Sequence, residues 1–298
     1  MSLAASDCWG RLEAALQRDD ADGALTLFQG LLRVEPLPGQ VVTWLHGGDD
    51  LFGWKHRDQL DLAKVRGDET TRLLVFARAA FATGFPKCAL YAVRSARERA
   101  PLAPEPAFLH CAFLLRQGDP AAQALVQHCF AQFPAPSLGW SELGALLLAR
   151  GQKKAALVCF GRGLPGFAAA MQRGLIARDL DQVGLARAAF EAATAFDPTS
   201  ARAHFLQGSV AQDEGDLPAA AAAYRTVLAL DPTVAEAAVN LGTVLQEAGN
   251  LEGARASYRV AVQTRPDTFG RIAQALPGTP KGELWLDLVA LRRNLASG

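Results

Sequence analysis

Between Ala201 and Thr268 the chain writes one unit twice. Gly208, Gly215, Leu217, Ala220, Tyr224 and Pro232 return 34 residues later as Gly242, Gly249, Leu251, Ala254, Tyr258 and Pro266. Six matches at one offset are not expected by chance, and a period of this length marks an array of stacked supersecondary units. A unit of this size cannot bury its apolar face alone, so each one must pack on its neighbours.

The residues within a copy say what the unit is. Ala235, Ala238, Val239, Leu241, Gly242 and Leu245 recur at helical spacing and place one apolar stripe toward a neighbour. The run breaks at Gly249-Asn250, where glycine takes the left-handed backbone that ends a helix without a steric penalty. A second helix is expected over Leu251 to Thr264. Gly242, Ala254 and Ala261 are small where the two helices must approach, and Tyr258 fills the space beside them. Pro266 closes the unit because it cannot donate to a continuing helix.

The same grammar is clearest in Trp140-x-x-Leu143-Gly144-x-x-Leu147, followed by Gly151, Ala156 and Phe160. This pattern resembles the tetratricopeptide repeat, with Leu147 standing where that family places a tyrosine. The resemblance implies an all-α fold, a right-handed α-solenoid of helix hairpins with terminal capping helices. The phase divides the chain into a degenerate hairpin and insert over 1–69, six repeats over 70–268, and a cap over 269–298. The six repeats span 70–103, 104–136, 137–166, 167–200, 201–234 and 235–268. The third is short and ends Gly163-Leu164-Pro165-Gly166, which predicts a disturbed stacking step there.

At 298 residues the chain is longer than one compact core usually supports. A solenoid escapes that limit because it grows by neighbour contacts. Half the residues are hydrophobic, which excludes extensive disorder, and 30 basic residues cancel 30 acidic ones. A balanced chain has no global pull toward nucleic acid or an anionic membrane. No basic region followed by an apolar core opens the sequence, and no apolar run is long enough to span a bilayer. A cytoplasmic protein is expected. Cys8, Cys88, Cys111, Cys129 and Cys159 are odd in number and lack framework spacing, so free thiols are expected.

Two places invite a chemical reading. Residues 39 to 69 break the repeat, with Gly47-Gly48-Asp49-Asp50 read as a turn inside an irregular insert and a short helix read from His56 to Val65. His46, Asp49, Asp50, His56 and Asp58 could supply imidazole and carboxylate to a divalent cation, but at no recognised ligand spacing. His110-Cys111 and His128-Cys129 are the second place. Repeat phase puts Cys111 and Cys129 on the two helices of one pair, where they could meet around a soft metal or serve as small buried hydrophobes. Phosphate-cradling glycine loops, nucleophile elbows and zinc-binding helices are not found. No catalytic residue, metal or cofactor is assigned.

Function is therefore expected from the surface of the array. In tetratricopeptide proteins the first helices line a concave groove that holds peptides or helices. Carried onto this sequence, one row reads Leu74, Phe108, Ser141, Met171, Phe205 and Val239, and its neighbour reads Phe81, Leu115, Leu148, Arg178, Gln212 and Gln246. Arg78 and Arg116 add positive charge early, and Asn240 is a polar groove residue late. Relatives that grip a chaperone's C-terminal carboxylate place lysines where this chain has Leu74, Phe108, Met171, Phe205 and Val239, so that ligand is not expected. Large apolar side chains facing solvent would instead call for an occupant, either a partner segment or the chain's own termini.

Charge is uneven along the chain. Residues 70–166 carry 11 basic and 4 acidic side chains, among them Arg94, Arg97 and Arg99 on a second helix. The expected function is a non-catalytic protein–protein interaction adaptor binding a partner's peptide or helix, with no nucleic acid and no membrane. Two alternatives stay open: an enzyme or enzyme-regulatory subunit with its site in residues 39–69, and a self-assembling structural protein.

Overall fold

The computed structural model describes residues 3–50 and 62–275, and among these the regular structure is all helix, without a strand. The helices divide into two compact units, with the boundary in the chain between Leu164 and Pro165, inside the short third repeat.

The first unit contains α1 (Leu3–Gln17), α2 (Ala21–Leu32), α3 (Gly39–Asp50), α4 (Leu62–Gly67), α5 (Glu69–Ala82), α6 (Pro86–Arg99), α7 (Pro104–Gln117), α8 (Ala121–Gln132), α9 (Leu138–Ala149) and α10 (Lys153–Arg162). Sequential helices pair as α1 with α2, α5 with α6, α7 with α8 and α9 with α10. The second unit repeats the arrangement with α11 (Phe167–Asp179), α12 (Val183–Phe196), α13 (Ala201–Asp213), α14 (Leu217–Leu230), α15 (Ala235–Glu247) and α16 (Leu251–Thr264). A 3-10 turn (Pro266–Thr268) and α17 (Phe269–Ala275) follow.

Four of the pairs are closed by a glycine lying under an aromatic ring. A Cβ added at Gly242 would come within 2.4 Å of the Tyr258 ring, and one at Gly174 within 2.4 Å of Phe190. Gly208 faces Tyr224 at 3.0 Å and Gly144 faces Phe160 at 3.2 Å in the same way. In all four pairs the ring stands 16 residues after the glycine. The small residue on the first helix thus makes room for the ring that fills the pair.

The breaks between helices need left-handed backbone, and glycine supplies it at Gly215 (φ +76°) and Gly249 (φ +83°). The equivalent place between α11 and α12 holds Asp181 (φ +56°), an aspartate doing what glycine does elsewhere. Aspartate is among the few residues that tolerate this conformation. The second helix then starts on a side-chain cap. Asp216 accepts from the Ala219 N–H and, one period on, Asn250 accepts from the Gly253 N–H.

The structure corrects the expectation of a turn and an irregular insert beginning at residue 39. Residues 39–50 form α3, which packs on α5, and the helix continues through Gly47-Gly48-Asp49-Asp50. The reason is its apolar stripe. Val41, Trp44 and Leu45 are buried, and Trp44 meets Trp9, Phe28 and Phe76 at ring-centroid distances of 5.9, 5.8 and 5.6 Å. Its indole N–H donates to Thr83 Oγ1 at 3.1 Å. Burying that ring outweighs two glycines that each weaken a helix by about 1 kcal/mol. His56, Asp58 and the expected cap helix beyond residue 275 lie outside the described residues.

Candidate functional site

Four of the five apolar side chains in the row expected to face solvent are buried. Leu74, Phe108, Met171 and Val239 are buried, as is Leu115 of the neighbouring row. Phe108 shows why. Its ring sits 4.6 Å from that of Trp140 and 5.8 Å from that of Phe133, and it lies against the backbone of Gly139. Trp140 in turn stacks on Phe130 at 5.3 Å, and the Arg162 guanidinium lies over both rings. A large side chain on a first helix has been absorbed by the helix pair that follows.

Other positions of the two rows keep part of their surface. In the first unit Phe81 is half-buried and stacks face to face on Phe113 at 4.3 Å, Arg78 is half-buried, and Arg116 is exposed at the end of α7. In the second unit Arg178, Phe205, Gln212 and Asn240 are half-buried.

Three of these four converge on one residue that sequence reasoning had placed in the core alone. The Phe205 ring packs edge-on against Tyr224 at 5.6 Å. The Tyr224 hydroxyl donates to Gln212 Oε1 at 3.1 Å and accepts from Asn240 Nδ2 at 3.3 Å. One repeat later Tyr258 donates to Gln246 Oε1 at 3.0 Å, so the tyrosine–glutamine bond is itself part of the repeat. Gln212 and Gln246 are 34 residues apart, as are the tyrosines, and that coincidence is the signal a sequence reading could have used.

The His-Cys cluster does not assemble as one ligand set. Cys111 and Cys129 meet as foreseen, with their sulfurs 3.6 Å apart, and both are buried free thiols. The bond to Cys129, together with burial, pushes the Cys111 thiol up, and burial pushes Cys159 up to about 12. Held protonated, Cys111 and Cys159 are poor ligands and poor nucleophiles. Among the described residues no group of three or more histidine, cysteine or acidic side chains could hold a metal ion.

His110 turns away from the thiols. Arg97 Nη1 stands 2.9 Å from His110 Nδ1, and because a guanidinium can only donate, Nδ1 is the acceptor and the proton sits on Nε2. Burial, then the charges of Arg97 and Arg94, pull the His110 pKa down to about 4, with Asp119 opposing them. The unfolded chain takes up this proton near pH 6.5, whereas the folded chain resists it until about 4. Stability contributed by neutral His110 is therefore expected to fall as pH drops from 6.5 to 4, by at most roughly 3 kcal/mol. Titration of the imidazole by NMR checks this, and a midpoint near 6.5 would contradict it.

Residues 171–233 and 205–268 match the tetratricopeptide-repeat family model. No curated protein matches the chain. Among solved structures the chain is similar to YrrB, described as a TPR protein with an unusual peptide-binding site, at 21% identity over 63% of this chain and 98% of that one, with a TM-score of 0.50. It is also similar to MamA, at 16% identity over 68% of this chain and 94% of that one, with a TM-score of 0.44. PilW, a type IV pilus biogenesis factor, aligns at 14% identity over 66% of this chain and 94% of that one, with a TM-score of 0.39. Among the described residues no helix is long and apolar enough to cross a membrane. The matched segment holds three of the four helix pairs in which a ring is seated on a glycine, and over residues 171–268 the chain carries tetratricopeptide repeats.

Proposed function

We propose that the chain is a non-catalytic adaptor that binds a peptide or helical segment of a partner protein on the first-helix face of its repeats. The observation that carries this reading is the convergence of Phe205, Gln212 and Asn240 on Tyr224. One hydroxyl holds two side-chain amides in fixed orientation beside a half-exposed aromatic ring. Gln212 spends its carbonyl oxygen on this bond and Asn240 one N–H. The remaining amide groups match what a peptide backbone offers, and their orientation is set before binding. Phe205 would supply the apolar anchor of such an interface.

In the first unit the same role falls to Phe81, Arg78 and Arg116. Leu74, Phe108, Leu115, Met171 and Val239 serve from beneath, as packing that holds the face in shape. Arg178 supplies charge at the edge of the second unit's face. YrrB has an unusual peptide-binding site, which accords with this reading, while the likeness to it shows the fold alone.

The test uses peptides selected from a displayed random library on the full chain. Phe205→Ala and Asn240→Ala are each expected to weaken the selected peptides by about 2 kcal/mol. The melting temperature should shift by only a few degrees, as loss of one part-buried contact of about 1 kcal/mol would cause. Peptides that bind both variants as tightly as the unaltered chain would refute this face as the site.

A further inference from the structure

A cavity of about 430 Å³ opens on the second-helix side of the first unit, between the last turns of α6 and α8. Its polar lining is Arg94, Arg97 and Glu98 from α6 with His128 and Gln132 from α8, and Phe133 lines it together with small residues of the α6–α7 connection. Its size is that of a site for a small organic molecule. It lies apart from the first-helix face, so it stands or falls separately from the adaptor reading.

The charges of this cavity are unbalanced. Arg99 pairs with Glu69 at 3.1 Å, but no carboxylate among the described residues forms an ion pair with Arg94 or Arg97. Glu98, the one acid on the lining, pairs with neither. Arg97 is docked instead on the buried imidazole of His110, which orients the guanidinium without neutralising it. One of its five N–H groups is used in that contact. Gln132 is fixed too, its amide N–H donating to the Pro101 carbonyl at 3.0 Å. The carbonyls ending α6 would repel an anion, and the basic residues of that turn, Arg97 and Arg99, offset them. The cavity sits in the stretch where basic side chains outnumber acidic ones 11 to 4.

We propose that this cavity binds a small organic phosphate, with the phosphoryl group on Arg94 and Arg97 and the apolar part against Phe133 and Pro101. Two guanidinium groups offer more donors than the two oxygens of a carboxylate can take. A phosphoryl group presents three oxygens and close to two negative charges at neutral pH. His128, exposed at the mouth with no partner of its own among the described residues, adds a further donor.

The experiment is calorimetric titration of the full chain with phenyl phosphate, benzoate and inorganic phosphate at low ionic strength. Saturable one-site binding of phenyl phosphate is expected, with benzoate and inorganic phosphate each weaker. Arg94→Gln is expected to weaken phenyl phosphate about tenfold or more. This variant decides the matter, because Arg94 is exposed and makes no bond whose loss would unsettle the fold. Arg97→Gln should do the same but also disturbs His110, so its melting temperature is measured alongside. Absence of saturable binding, or an unchanged affinity in Arg94→Gln, would overturn the site. Benzoate binding as tightly as phenyl phosphate would overturn the phosphoryl assignment, and inorganic phosphate binding as tightly would overturn the role of the apolar wall.

Discussion

Replacing Phe108 with alanine is expected to remove about 3 to 5 kcal/mol from the stability of the N-terminal unit, the range seen when a buried phenylalanine is truncated. The large end is favoured by the surroundings. Phe108 is 5% exposed and touches Trp140 and Phe133, and Trp140 also packs against Phe130 and the Arg162 guanidinium. Its indole N–H also donates to the Ala135 carbonyl at 3.2 Å, and a ring so held does not move in to fill the space, so the cavity stays open. Denaturant unfolding of the variant, followed by tryptophan fluorescence, is the measurement. A loss under about 1 kcal/mol would mean that Phe108 is a surface residue after all.

Gly242→Leu is expected to cost about 3 kcal/mol or more, at the upper end of what overpacking a core does. The ring that must give way is Tyr258, whose face lies where the new Cβ would be, 2.4 Å away. Tyr258 is not free to swing, because its hydroxyl is bonded to Gln246 at 3.0 Å and to Thr243 at 3.4 Å. Displacing it breaks those bonds as well as the packing. Gly208→Leu should cost less, since there the nearest ring atom of Tyr224 is 3.0 Å from the same point. Thermal unfolding of both variants ranks them, and a Gly242 variant no less stable than the Gly208 variant would show that ring clearance does not set the cost.

Much of this could be read without coordinates. The recurrence of Gly208 and Tyr224 as Gly242 and Tyr258 required helix pairs closed by a ring on a glycine, and that is how the pairs are built. The meeting of Cys111 with Cys129 also followed from repeat phase, because phase places a residue at an angle on its helix and each second helix returns along its first. Where the pattern was weak the reading failed. Two glycines followed by two aspartates in residues 47–50 look like a turn, but Val41, Trp44 and Leu45 upstream carry a stripe that α5 covers. A helix held by burial on one face tolerates poor formers elsewhere along its length.

Repeat phase dictates which residues share a row, and the positions expected on the binding face fall on first helices. Phase cannot say how deep a row lies. Exposure depends on the volume that the next helix pair brings up against it, and that volume belongs to residues such as Phe133, Gly139 and Trp140, which are distant on the helical pattern but adjacent in space. Hence Phe108 is buried while Phe205, one of the same row, stays half open. The docking of Arg97 on His110 has the same origin. It joins α6 to α7 across a contact that no periodicity encodes, because hydrogen bonds between side chains of different helices follow from packing and not from spacing.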